Sequence, residues 1–248
     1  MNLSIPTDLP VEVRTALETL CQSFSQSLPN QITSILLYGG LAKGEFHPAT
    51  SDVNVLVVLP AIELSTLDRI APAIEQARLA IRLNVMVLTE GDLTDSAEVF
   101  PTKFLDIQRH HRVLCGRDIA AAFHVPKDRL RRQCARELVN LNLRLRAFYL
   151  DRRHRPELIE GTLRRSISTL LINLGLLIEL KTGASSTTKA ATIDAAAKLG
   201  FDPKALETFL NLKLGILKPS PAELKELYNT FMKLVQQAVD LAESLTAA

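Results

Sequence analysis

The sequence contains no tryptophan, and aromatic residues make up only 5% of its 248 residues. Apolar residues nevertheless account for 47% of the chain, so its core has to be built mainly from aliphatic side chains. Leu and Ala are most frequent in the second half, which favours helices there. The length fits one large globular domain or two modest ones.

Cysteine is also scarce, since only Cys21, Cys115 and Cys134 are present, far apart in the chain. An odd number without CxxC or Cys/His spacing argues against a disulfide framework and against a metal site made by these residues. The N-terminus shows no basic-then-apolar signal. The longest apolar run, Leu170–Leu180, is interrupted by polar residues and is too short to cross a bilayer. We therefore expect a cytoplasmic protein without a membrane partner.

Charge is unevenly distributed, although the formal net charge is only +2. Residues 1–100 contain 12 acidic and 5 basic side chains, whereas residues 101–165 contain 7 acidic and 16 basic ones. This distribution indicates two subdomains that face each other, a basic wall that lines a cleft, or a solvated helix face. Its arginines between 129 and 155 are interleaved with few aromatic residues, so nucleic acid is not expected as a partner.

Hydrophobic periodicity changes character near residue 120. Residues 1–120 alternate between helical and strand patterns, which indicates an α/β domain with a mixed sheet. The predicted strands are 32–38, 53–59, 81–88 and 110–115, and the predicted helices are 10–28, 41–46, 65–79 and 101–107.

Residues 121–248 predict an all-α helical bundle. Its helices are expected at 127–152, 157–182, 188–200, 203–216 and 221–245, separated by Pro- and Gly-containing breaks. The apolar stripes at 206–216 and 224–241 belong either to the core or to a homodimer interface.

The most specific pattern lies between Leu36 and Leu59. Gly39-Gly40 follows an apolar strand, and glycines there let the backbone approach a ligand. The short helix predicted after them would offer free N–H groups to an anion, and Lys43 on its first turn would add positive charge.

Polar side chains mark the next two strands. Asp52 and Asn54 are two residues apart at the start of one strand, so both project from the same face. Asn84 lies inside the apolar strand that follows, where a buried amide needs a polar partner. Either the strand that carries Asp52 and Asn54 or a loop backbone would provide that partner.

These residues resemble the signature of the nucleotidyltransferase superfamily, which includes the DNA polymerase beta-like folds and the small aminoglycoside nucleotidyltransferases. In that signature a Gly-Gly or Gly-Ser turn follows an apolar strand, and Ser-Asp-apolar-Asp enters the next strand. The positions that fit are Gly39, Gly40, Lys43, Gly44, Ser51, Asp52, Val53 and Leu56. The resemblance covers about residues 30–118.

The resemblance implies a nucleotidyltransferase-like α/β domain followed by a helical bundle. It also implies transfer of a nucleoside monophosphate from an NTP, taken as ATP, to a small-molecule or protein acceptor, with Mg²⁺ as cofactor. The positions it implies are Asp52, Asn54 and Asn84 for the metal, Asp52 for catalysis, and Gly39, Gly40, Lys43 and Ser51 for the nucleotide.

Two of the three metal positions are Asn rather than a carboxylate. An amide oxygen coordinates Mg²⁺ but adds no negative charge, so the metal site is weakened. Two functions therefore remain open. One is a nucleotidyltransferase that works with a weakened metal site, and the other is a catalytically inactive nucleotide-binding or protein-interaction module of the same fold.

Overall fold

The computed structural model describes residues 3–45, 51–186 and 188–245. Its internal contacts divide the chain into two compact units, Met1–Pro126 and Lys127–Ala248. The first unit contains a mixed sheet with helices, and the second is built of helices, as the sequence predicts for the fold class. The sequence placed the boundary between the two near residue 120.

The first unit contains four described strands that form one sheet. In chain order its elements are α1 (Val11–Ser27), β1 (Ser34–Tyr38), β2 (Val53–Leu59), α2 (Leu64–Ala80), β3 (Leu83–Thr89), α3 (Glu90–Val99), α4 (Pro101–Arg109) and β4 (His111–Gly116). The strand order is β3-β2-β1-β4. Strands β2 and β3 run parallel, whereas β1 is antiparallel to β2 and to β4. The nearly unbroken apolar β2 is a central strand and β4 an edge strand, as predicted.

The two faces of the sheet bury two separate apolar layers. One layer contains Val55 and Val57 of β2 with residues of α1 and α2, and the other contains Leu56 and Val58 with residues of α3 and α4. This division follows from the alternation of side chains along a strand. The polar positions at the start of β2 and β3 continue the alternation of the second layer.

Helix α3 was not predicted from the sequence. It begins with a capping box, in which the Thr89 hydroxyl accepts from the Asp92 N–H and the Asp92 carboxylate accepts from the Thr89 N–H. Two otherwise unpaired donors at the helix start are satisfied in this way. The Thr-x-x-Asp spacing was the available signal, but Leu93 and Ala97 are the only described buried residues of this short helix.

The short helix predicted at 41–46 is wrong for its described part, because residues 41–44 form turns. Gly39 and Gly44 both adopt left-handed backbone angles, with φ of +80° and +78°. The stretch between these two glycines is too short for a stable helix. Phe46 and the loop predicted at 48–51, except for Ser51, lie outside the described residues.

The second unit consists of helices close to the predicted ones. They are α5 (Lys127–Arg152), α6 (Pro156–Thr182), α7 (Lys189–Ala197), α8 (Pro203–Leu214) and α9 (Pro221–Ser244). Aliphatic side chains dominate their shared core, in which the Tyr228 hydroxyl donates to the Leu145 carbonyl at 2.8 Å. No helix in the described part of the chain combines the length and the hydropathy of a membrane span.

Candidate functional site

The polar residues at the start of β2 and β3 lie side by side. In the parallel register Asn54 is opposite Asn84, and the Asn84 Nδ2 donates to the Asn54 Oδ1 at 3.2 Å. The strand that carries Asn54 thus provides the polar partner of Asn84, one of the two sources predicted. Asn84 is solvent-exposed and Asn54 is half-buried, so the amides meet at the edge of the apolar layer.

An ion pair stands next to this amide pair. Asp52 and Arg82 immediately precede the two strands, and the Val53 N–H donates to the Arg82 carbonyl at 2.9 Å. The Arg82 Nε donates to the Asp52 Oδ1, also at 2.9 Å. We call Asp52, Arg82, Asn54 and Asn84 the strand-start quartet, because the first two directly precede β2 and β3 and the other two face each other within these strands.

The glycine turn packs against the quartet. Tyr38 is opposite Asn54 in the antiparallel register of β1 and β2, and Gly39 follows directly. A Cβ atom at Gly39 would lie 3.0 Å from the Asn54 Nδ2, so the absence of a side chain is needed for this approach. The Glu45 N–H donates to the Gly40 carbonyl at 2.8 Å and closes the turn. The anion-binding helix terminus that the sequence predicted after Gly40 is therefore replaced by a closed turn.

Lys43 projects from this turn and contacts α4. Its Nζ lies 2.6 Å from the Asp106 Oδ1, and the His110 Nδ1 lies 3.3 Å from the same oxygen. Lys43, which the sequence predicted as a phosphate contact, thus forms an ion pair within the chain. A ligand phosphate would have to compete with the Asp106 carboxylate for it.

The ammonium group of Lys103, a residue of α4, also lies near this site and was not identified from the sequence. The Lys103 Nζ lies 5.8 Å from the centre of the Tyr38 ring and 3.4 Å from the Met86 Sδ. Among the described residues it makes no ion pair with a carboxylate. Burial raises the pKa of Tyr38, which keeps its hydroxyl neutral and unsuited to act as a base. Periodicity could place Lys103 on a helix but could not show which strand residues that helix approaches.

Ser51, predicted as a nucleotide contact, directly precedes Asp52 of the ion pair. It lines a cavity of about 610 Å³ together with Val53, Arg78 and Arg82. The cavity also borders the start of α1 and the end of α2, where Val11 and Leu79 are exposed. The structure therefore places Ser51 at the border of this cavity, next to Asp52, and its nucleotide contact stays a prediction.

The quartet does not fit a two-metal site. Its one carboxylate is already paired with a guanidinium, and one of its amide oxygens already accepts a hydrogen bond from the other amide. Mg²⁺ binding relies on anionic oxygen ligands, and here Arg82 cancels the only negative charge. Among the described residues, no three His, Cys, Asp or Glu side chains are grouped so that they could hold a metal ion.

Solved structures that match the chain include nucleotidyltransferases and a nucleotidyltransferase-like protein. One is spectinomycin adenyltransferase from Enterococcus faecialis, solved with ATP and spectinomycin, at 15% identity and a TM-score of 0.46 over 88% of this chain and 98% of that chain. Another is a nucleotidyltransferase-like protein from Exiguobacterium sibiricum 255-15, at 11% identity and a TM-score of 0.39 over 90% of this chain and 74% of that chain. No protein-family model and no curated protein sequence matches the chain. Function depends on the side chains of a site rather than on the fold that carries it.

Proposed function

We propose that the first unit is a nucleotidyltransferase-like module that binds a nucleotide without a divalent metal and does not transfer it. The observation that supports this most directly is the internal pairing of the strand-start quartet. Asp52 is neutralised by Arg82, and Asn54 accepts a hydrogen bond from Asn84. A catalytic dication would have to displace Arg82 and would then have a single carboxylate as its anionic ligand.

The proposed ligand is the triphosphate of ATP, which the sequence resemblance implies. Two ammonium groups support anion binding on this face. Lys103 has no carboxylate partner among the described residues, and Lys43 shares Asp106 with His110. In a metal-free complex these ammonium groups would provide the positive charge that Mg²⁺ provides in a metal-dependent one.

Nucleotidyl transfer to an acceptor stays a prediction of the resemblance and is the competing outcome. In that reaction an acceptor oxygen attacks the α-phosphorus, the bond to the β-phosphate oxygen breaks, and pyrophosphate leaves. Charge builds up on the phosphate oxygens and must be stabilised. The quartet contributes no net negative charge that would recruit a metal for this purpose, which is why we favour binding over transfer.

Isothermal titration of the wild-type chain with ATP tests the proposal when it is done once with Mg²⁺ and once with EDTA. We expect the two dissociation constants to agree within about threefold, and we expect no pyrophosphate in the Mg²⁺ sample. ATP binding that requires Mg²⁺, accompanied by pyrophosphate release, would support the transferase instead. Absence of ATP binding under both conditions would contradict the nucleotide-binding proposal.

A further inference from the structure

Arg82 opposes metal binding at the quartet, in addition to the effect of having only one carboxylate there. The guanidinium lies against the single carboxylate of the quartet, with the Nε 2.9 Å from the Asp52 Oδ1. Both side chains are partly open to solvent, at 60% and 51% exposure. A cation that approaches Asp52 therefore meets the positive charge of Arg82 at its first ligand.

The backbone explains why Arg82 stays at this place. The Val53 N–H donates to the Arg82 carbonyl, and Val53 pairs with Leu83 in the parallel register. The residues before these partners, Asp52 and Arg82, are therefore adjacent on neighbouring strands. Opposite charges at adjacent positions attract each other, so the backbone register at the strand starts favours the ion pair.

We propose that Arg82 is a built-in counter-ion of Asp52 that takes the place of a divalent cation in this site. This inference rests on the proposed function and adds the residue that makes the site independent of metal. Two changes then separate the chain from a metal-binding site. One is the loss of carboxylates at Asn54 and Asn84, and the other is the positive charge at Arg82. Restoring the carboxylates alone leaves the second change in place.

The size of the expected effect follows from Coulomb's law. A single positive charge about 4 Å from a bound dication, in a dielectric near that of water and with salt screening, weakens the binding of that dication by about tenfold. Arg78 provides a matched control. It lines the same cavity as Arg82, but its Nε donates to the Leu83 carbonyl and not to Asp52.

The test is a titration with Mn²⁺ followed by electron paramagnetic resonance. The background is the double variant Asn54→Asp with Asn84→Asp, to which either Arg82→Gln, Arg82→Lys or Arg78→Gln is added. We expect Arg82→Gln to tighten Mn²⁺ binding by about tenfold, while Arg82→Lys and Arg78→Gln change it by less than about threefold. Circular dichroism of each variant confirms that it is folded, and only folded variants are compared.

The inference is overturned if Arg82→Gln binds Mn²⁺ no more tightly than Arg78→Gln, or if no variant binds Mn²⁺ at all. These results differ from the failure of the proposed function. That failure is read from ATP binding by the wild-type chain with and without Mg²⁺, and it requires no substitution.

Discussion

The side-chain amides of Asn54 and Asn84 face each other across parallel strands β2 and β3, and the Asn84 Nδ2 donates to the Asn54 Oδ1 at 3.2 Å. This bond has a direction. The acceptor at Asn54 can be exchanged for a carboxylate oxygen without loss of the hydrogen bond, whereas the donor at Asn84 cannot be exchanged in the same way.

The first prediction concerns this direction. Asn54→Asp keeps the acceptor and loses only the long, exposed contact of 3.5 Å from the Asn54 Nδ2 to the Asp52 carbonyl, so it should change the free energy of unfolding by less than about 0.5 kcal/mol. Combining it with Asn84→Asp places two carboxylates opposite each other, and we expect an extra cost of about 0.2–1 kcal/mol beyond the sum of the single variants. Urea denaturation of the four proteins measures the coupling. Strictly additive costs would show that these side chains do not face each other.

The second prediction concerns the contact between the glycine turn and the quartet. Gly39 and Gly44 have nearly equal φ angles, but a Cβ atom at Gly39 would lie 3.0 Å from the Asn54 Nδ2, whereas one at Gly44 would have no atom of the described residues within 4 Å. Both Gly→Ala variants incur the left-handed backbone cost of about 1–2 kcal/mol. We expect Gly39→Ala to be the more destabilising of the two in urea denaturation, because the Asn54 amide must also shift. Equal costs would contradict the close approach.

The third prediction concerns pH. Burial acts to raise the pKa of Asp118, but hydrogen bonds from His111 and from the N–H groups of Ala120 and Ala121 outweigh it and hold the pKa below the ordinary value of 3.8. A lowered pKa means that the ionised carboxylate stabilises the fold above that value, and that this stabilisation is lost as the pH falls through the folded-state pKa.

The Asp118→Asn variant measures this contribution. The side chain is 45% exposed, so we expect a loss of only about 0.5–1 kcal/mol at pH 7. The difference between wild type and variant should shrink as the pH falls below about 4, where the wild-type carboxylate takes up its proton. Unfolding free energies measured from pH 7 to pH 3 provide the comparison. A difference in unfolding free energy that grows as the pH falls would contradict a lowered pKa of Asp118 in the folded state.

The fourth prediction concerns the anion-binding role of Lys103. Lys103→Gln removes the ammonium beside Tyr38 and Met86 while it keeps most of the side-chain length. We expect the dissociation constant for ATP in EDTA to rise by about three- to tenfold, since a charge-assisted contact to phosphate is lost. Lys198→Gln in the helical unit removes an equal charge from an exposed lysine that is not among the proposed phosphate contacts and should leave ATP binding unchanged. Equal effects of the two variants would show that only overall charge matters.

Part of this site could be predicted from the sequence. The period of two along β2 and β3 places Asp52 and Asn54 on one face and indicates that Asn84 needs a polar neighbour. The role of Arg82 could not be predicted in this way, because it depends on the parallel register that sets Asp52 beside Arg82. Sequence periodicity fixes which face of a strand a residue occupies, but it does not fix which residue of the next strand lies opposite.

The glycine turn also shows that the sequence does not determine which groups come into contact. Gly39-Gly40 after a strand predicts a close approach of the backbone to a ligand, which stays a prediction, and within the chain Gly39 closely approaches the Asn54 amide. The turn also closes through the bond from the Glu45 N–H to the Gly40 carbonyl and does not open a helix. Local propensity cannot separate a closed turn from a first helical turn over so few residues.

Within the strand-start quartet, Asp52 pairs with Arg82 and Asn54 with Asn84, so we expect no tight binding of a dication there. Titration of the wild-type chain with Mn²⁺, followed by electron paramagnetic resonance, tests this expectation. We predict no saturable Mn²⁺ binding up to about 1 mM, and an unchanged signal after Asp52→Asn, because this carboxylate is already paired with Arg82. Saturable micromolar Mn²⁺ binding that Mg²⁺ competes away and that Asp52→Asn abolishes would contradict the account.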